Sequence, residues 1–237
     1  MNSAVTPRTT RWWWVRHAPV REDGGRIYGQ SDLGCDCSDR VVFDSLARVL
    51  PRDAVWFSST LKRTHQTAQA VWDAGFARPL QMKHEADFAE QHLGDWQGRD
   101  RAEFYASRPV VLGSHWFGPA DEKTPGGESF IDLYERTVRC IARINAEHEG
   151  RDIVAVTHGG TIKAAVALAL GLGPEGGLKF AVENCSLTKL EYLTLNGDHG
   201  WRVGFVNHQP WVVPSQHPTM HQPAGPEIVG ESETKLA

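Results

Sequence analysis

The sequence predicts an α/β fold, a three-layer α/β/α sandwich around a mostly parallel central sheet of about six strands. Three observations carry that prediction. Short runs of β-branched and aromatic residues alternate with longer segments of helical periodicity along the 237-residue chain. Two of those runs, Trp12–Val15 and Ile153–Thr157, are apolar on both faces, as central strands covered by helices on each side must be. Each leads into a histidine, His17 or His158. That places two imidazoles at the carboxyl ends of strands, where open α/β sheets keep their ligand crevices.

The first ten residues are polar and predict a loose terminus. Residues 11–17 form the first strand, built from bulky β-formers. Residues 18–37 hold Pro19, Gly24, Gly25, Gly29 and Gly34 and read as a long loop, a length that marks a functional segment. Ser38 is the expected N-cap of a helix to about Leu50, with Val41, Val42, Leu46 and Val49 as its apolar stripe. A second strand follows at Ala54–Ser59. Thr60 then caps a helix to about Ala74, with Leu61, Ala68, Val71 and Trp72 inward and Gly75 just past its end.

A third strand is expected near Gln81–Phe88. Residues 89–126 are irregular apart from a short helix at Arg99–Ala106. Ser129 and Asp132 form a capping box. It starts a helix with Phe130, Leu133, Tyr134, Thr137, Val138, Ile141 and Ile144 on one face. Ile153–Thr157 is the next strand, and Thr161–Leu170 is a helix so apolar that it must be buried. Ser186–Leu193 and Trp201–Asn207 read as two late strands around Asn196-Gly197-Asp198. The expected organisation is a single domain over 1–208 and a Pro-rich, extended tail over 209–237, for which a homodimer contact is a candidate role.

Composition narrows the function classes. A formal charge of −4 gives no reason to expect nucleic acid or an acidic membrane as partner. No apolar run approaches the roughly 20 residues of a membrane span, and no signal-peptide pattern opens the chain, so a cytoplasmic location is expected. Cys35, Cys37, Cys140 and Cys185 read as free thiols. Cys35-Asp36-Cys37 lacks the second Cys/His pair that a zinc site needs, so no metal is expected. Gly171-x-Gly173-x-x-Gly176 follows a helix rather than a strand, so the dinucleotide-binding context is missing.

Arginine offers a planar charged fork that matches phosphate oxygens. Imidazole can attack through one nitrogen while a carbonyl holds the other. Arg16 beside His17 therefore reads as a clamp beside a nucleophile, and Arg63, just past another strand end, can reach the same crevice. A carboxylic acid must protonate the leaving oxygen. The loop Glu90–Trp96 offers Glu90 and Asp95, and spacing alone does not choose between them. His92 is a candidate rim residue.

These segments, in this order, resemble the histidine phosphatase superfamily, in its phosphoglycerate-mutase-like branch. Arg16-His17-Ala18 resembles the Arg-His-Gly motif, and Tyr28–Leu33 the Gly-Gln-x-Asp-x-Leu loop. Ser58–Ala68 resembles the segment with the second phosphate-binding arginine. Glu90 with Gly94–Gly98 resembles the acid-bearing stretch, and Gly127-Glu128-Ser129 and Val156–Gly160 the last two signatures. The resemblance implies that His17 becomes phosphohistidine and that Arg16, Arg63 and His158 hold the phosphoryl oxygens. It further implies help from the backbone near Tyr28, Gly29 and Gly159, general acid and base work at Glu90, and no metal or other cofactor. It implies a phosphatase of a small phosphorylated metabolite, of the α-ribazole-phosphatase or broad-phosphatase type. The alternatives are a phosphoglycerate-type mutase and a non-catalytic phospho-ligand or protein-binding module. The short stretch between Glu90 and Gly127 favours hydrolysis over mutase action. Two departures stand out: Ala18-Pro19-Val20 replaces the usual Gly-Glu/Gln-Thr/Ser, and Lys163 stands where arginine is frequent.

Overall fold

A computed structural model describes residues 6–109 and 116–212. Most of the tail, from residue 213, lies outside the described residues, as do residues 1–5. The elements are β1 (Arg8–Arg16), α1 (Arg40–Val49), β2 (Val55–Ser58), α2 (Lys62–Asp73), β3 (Met82–His84), α3 (Arg101–Ala106), α4 (Phe130–Glu147), β4 (Asp152–Thr157), α5 (Gly159–Ala169), α6 (Pro174–Gly177), β5 (Leu187–Leu195) and β6 (Asp198–His208). One six-stranded sheet runs in the order β3-β2-β4-β1-β5-β6. The first four strands pair in parallel, and β5 and β6 close the other edge antiparallel. Among the described residues no helix is long and apolar enough to cross a membrane.

The period of two along each strand sorts the core into two layers. Val15, Trp56, Val154 and Val156 face α1 and α2. Trp12, Trp14, Phe57, Ile153 and Ala155 face α4 and α5. Trp12 and Trp14 stack at 4.7 Å, and Phe88 meets both rings edge-on. The buried indole N–H of Trp12 donates to Asn145 Oδ1 at 2.8 Å, so that core position carries no unpaired polar group.

Several boundaries differ from the expectations. β1 begins at Arg8, because residues 8–10 pair with Leu193, Thr194 and Tyr192 of β5. Asp39, not Ser38, caps α1 by accepting from Val41 N and Val42 N. Ser38 is instead held in a turn by Asp36 Oδ1. The inward stripe of α1 is Val42, Phe43, Leu46 and Ala47, while Val41 and Val49 are 63% and 40% exposed. Thr60 does not cap α2. Asp32 Oδ1, from the preceding loop, accepts from Lys62 N at 2.7 Å instead.

The third strand stops at His84, after which Ala86–Phe88 turns as a short 3-10 helix and carries Phe88 into the core. α5 starts at Gly159, two residues before Thr161. The Ser129–Asp132 capping box forms as expected. Both Asn196 and Gly197 have positive φ in the β5–β6 turn, the backbone that a tight hairpin with right-handed twist requires.

The topology positions the site. From β1 the chain crosses through α1 to β2, on the far side of β4. From β4 it crosses through α5 to β5, on the far side of β1. Two adjacent parallel strands whose connections leave in opposite directions open a crevice at their carboxyl ends.

Candidate active site

The register of β1 and β4 pairs Arg16 with Thr157. The next residues, His17 and His158, therefore emerge side by side, with ring centroids 5.1 Å apart. His17 Nδ1 lies 2.7 Å from the carbonyl oxygen of Ala18. A carbonyl only accepts, so Nδ1 carries the proton and Nε2 keeps its lone pair. Burial, then the charges of Arg63 and Arg16, hold the His17 pKa well below the usual histidine range, against a smaller opposing pull from the Ala18 carbonyl. The imidazole is thus neutral at neutral pH.

His158 shows the reverse pattern. Arg63 Nε, which can only donate, lies 3.3 Å from His158 Nδ1. The proton therefore sits on Nε2, which donates to Ser59 Oγ at 2.7 Å. Burial and the charge of Arg63 also keep this ring neutral. Arg63 itself is fully buried. One N–H of its Nη2 donates to the carbonyl of Gly29 at 2.7 Å and one of its Nη1 to that of Ser31 at 2.9 Å, and the guanidinium's two other N–H groups are left over. Its guanidinium lies 5.2 Å from the centroid of the Tyr28 ring. Gly29 thus contributes its carbonyl to the arginine. Its φ of +43° and its closeness to Gln91 O, 2.9 Å from where a Cβ would sit, leave room only for glycine.

Glu90 reaches the crevice from the edge of the sheet. Phe88 O accepts from Thr157 Oγ1 at 2.7 Å and from Thr161 Oγ1 at 3.1 Å. Arg136 donates to Glu90 O at 3.0 Å. These bonds pull the loop from β3 across to the start of α5. There Glu90 Oε1 accepts from Gly160 N at 3.1 Å and from Gln91 N at 3.0 Å. A carboxylate at a helix N-terminus satisfies backbone donors that the helix leaves open. Asp95 does not compete, for its carboxylate lies against Gly126. His92 holds a turn, its Nδ1 accepting from Gly94 N, and is not among the cleft residues.

Arg16 donates to the carbonyl of Val182. Its Nε is buried without a partner and lies 3.6 Å from where a Gly159 Cβ would sit. An unpaired guanidinium N–H in such a place is a ready donor for an anion. Arg16, Tyr28, Gly29, Glu90 and Gly159 line a cleft of about 390 Å³, while His17, His158 and Arg63 are buried. Pro19 and Val20, two of the three altered residues after His17, form part of the cleft wall, as do Trp116, Phe117 and Tyr105. Lys163 also lines it, donates to Phe180 O and lies 5.4 Å from the Trp116 ring centroid. Burial brings its pKa down to about 8.

Of the eight site residues expected from the sequence, five line the cleft, and His17, Arg63 and His158 are buried together next to them. Sequence reasoning missed Ser59 as the acceptor for His158 and Gly160 as the donor to Glu90. The paired glycines after His158 were the available signal, and it did not say which of them carries the carboxylate. Among the described residues no group of three or more histidine, cysteine or acidic side chains is arranged to hold a metal ion. Chemically, the arrangement is a free imidazole lone pair beside two guanidinium groups, with a carboxyl group in the same cleft.

Residues 12–208 match the family described as histidine phosphatase superfamily (branch 1). Phosphoglycerate mutase-like protein 4 of Arabidopsis thaliana is 34% identical over 155 residues, which cover 63% of this chain and 66% of that protein. The chain thus spans just under two thirds of that relative. A glucosyl-3-phosphoglycerate phosphatase of Mycolicibacterium vanbaalenii is 31% identical over 70% of this chain and 76% of its own. Among solved structures, mycobacterial hydrolase 2 superposes with a TM-score of 0.73 at 27% identity, covering 87% of this chain and 94% of that one.

Proposed function

The chain belongs to branch 1 of the histidine phosphatase superfamily, and from that premise we propose that it is a phosphatase of a small phosphomonoester, working through a phosphohistidine at His17. The observation that carries this reading is the fixed tautomer of His17. Its Nδ1–H is bound to the Ala18 carbonyl, which leaves Nε2 free as a nucleophile between Arg16 and Arg63.

In the first step Nε2 attacks phosphorus. The bond to the leaving oxygen breaks with its electron pair on that oxygen, and Glu90 supplies the proton. In the second step the Glu90 carboxylate takes a proton from water as the water oxygen attacks phosphorus. The N–P bond breaks with its pair on Nε2, and orthophosphate leaves. Arg16 and Arg63 bear the charge on the phosphoryl oxygens in both steps, and His158, its one N–H given to Ser59, positions Arg63 by accepting from its Nε. The route calls for no metal ion.

The substrate class follows from the cleft wall. A phosphoglycerate, as in the name of the mycobacterial relative, carries a carboxylate beside its phosphate. Lys163 lines the cleft and suits such a group, whereas Arg101, also in the wall, is ion-paired with Asp23. The reading places the protein in the cytoplasm, where free thiols persist.

The test is acid-labile, base-stable labelling by a phosphorylated substrate. Labelling and turnover should vanish in His17→Ala, and turnover of the parent should be unaffected by a chelator. Label that survives His17→Ala would overturn the reading. Isomerisation of phosphoglycerate faster than phosphate release would move it to a mutase.

A further inference from the structure

Behind the anion site, the loop leading into α1 carries two cysteines that the proposed chemistry leaves unused. Cys35 Sγ and Cys37 Sγ lie 3.5 Å apart. Both are partly exposed, and both line a surface depression of about 570 Å³ that a small thiol reagent can enter. Cys140 and Cys185, by contrast, are buried, and burial pushes both thiols up to about 12.

The pair is asymmetric. The hydrogen bond from Cys37 brings Cys35 down to about 7 against the cost of burial, with help from the charge of Arg63. The same bond, with burial, pushes Cys37 up. Cys35, whose S–H donates to Arg63 O in the resting state, is the more acidic thiol and attacks once it gives up that proton. Cys37 resolves the product, the division of labour that thiol–disulfide exchange requires.

The pair also touches the anion site. Cys35 Sγ lies 3.3 Å from the carbonyl oxygen of Arg63 and 3.6 Å from Thr67 Oγ1. That hydroxyl accepts from Ala18 N at 2.8 Å and donates to Arg63 O at 2.7 Å. Cys35 is therefore one contact away from both the His17–Ala18 segment and the helix turn that carries Arg63.

We propose that Cys35 and Cys37 form a redox-active dithiol that closes to a disulfide and, in closing, weakens anion binding between His17 and Arg63. The oxidant is a small disulfide. The Cys35 thiolate attacks one of its sulfurs and expels a thiolate. Cys37 then loses its proton, its sulfur attacks Cys35 Sγ, and the second thiolate leaves. The dithiol gives up two electrons and two protons, and the small disulfide becomes two thiols. Bond formation brings the sulfurs together by about 1.5 Å, and the oxidised Cys35 has no S–H left to donate to Arg63 O. The coupling to anion binding rests on the active-site reading given above.

The test uses the full chain in a series of reduced and oxidised glutathione, with free thiols alkylated and the peptides weighed. Expected is the loss of two hydrogens on the peptide holding Cys35 and Cys37, reversed by dithiothreitol. The inhibition constant of inorganic phosphate should rise at least about fivefold on oxidation. Cys37→Ser, which leaves Cys35 in place, should stop at a glutathione adduct on Cys35. Full alkylation of both cysteines at every ratio, an adduct in the parent that never resolves, or unchanged phosphate inhibition in oxidised protein would overturn the proposal. Reduced protein that fails to bind phosphate would sink the active-site reading instead, and peptide mass would still judge the dithiol.

Discussion

Replacing Gly160 by alanine tests the placement of Glu90 while leaving every reacting side chain chemically intact. Gly160 is the second residue of α5, where alanine is favoured over glycine by about 1 kcal/mol. Its side is not empty. A Cβ there would press on Glu90 Oε1, and would stand 2.9 Å from Trp116 Cη2 and 3.0 Å from Leu133 Cδ1. Trp116 and Leu133 can each give by a few tenths of an ångström, an overpacking cost of roughly 1–3 kcal/mol that helix propensity partly offsets. Glu90 must move by about 1 Å, a misplacement of the size that costs about a hundredfold in rate, or roughly 2.7 kcal/mol of barrier.

Turnover of an alkyl phosphate, whose leaving oxygen needs the proton, should fall about a hundredfold in Gly160→Ala, and an activated aryl phosphate should lose far less. The assay is kcat/KM on both substrates, with Tm recorded to show that the fold survives. Glu90→Gln serves as the reference, and the double variant should be little worse than either single one, because both remove the same function. Alkyl-phosphate turnover within twofold of the parent would refute the reasoning. So would full additivity with Glu90→Gln.

Two further outcomes follow from the buried histidines. Ser59→Ala removes the acceptor of His158 Nε2–H and leaves a buried donor unpaired, so denaturant unfolding should show a loss of roughly 1–3 kcal/mol; no loss would contradict the tautomer assigned to His158. His17 and His158 are both held neutral by burial, with pKa values well below the ordinary range. The unfolded chain then binds more protons than the folded one below about pH 6.5, so stability should fall as pH drops through that value. The slope approaches about 1.4 kcal/mol per pH unit for each ring, and urea titrations from pH 7.5 to 5.5 that show a flat or rising profile on acidification would exclude it.

The layered architecture was legible because it rests on periodicity. β1 and β4 are apolar on both faces, and their parallel register alone brings His17 beside His158. Local capping was less legible. Ser38 and Asp39 are both good caps, and the choice fell to Asp39 because Asp36 occupies Ser38 in a turn. Thr60 lost its expected role to Asp32, which lies 30 positions from the Lys62 N–H that it accepts, a partner that no local pattern reveals. The acid was ambiguous for the same reason. What separates Glu90 from Asp95 is the set of bonds from Thr157, Thr161 and Gly160, all on distant elements that meet the loop only once the chain has folded.

The loop that carries Glu90 has a further consequence. It belongs covalently to the edge of the sheet, yet it works at the centre, anchored there by a handful of hydrogen bonds. None of those bonds is made by the side chains of His17, His158, Arg16 or Arg63. Local opening of this loop would therefore abolish proton delivery and spare phosphate capture, so the two capacities can be lost separately. A descendant of this chain could shed catalysis by a few changes along residues 85–91 and persist as a reader of phosphorylated ligands.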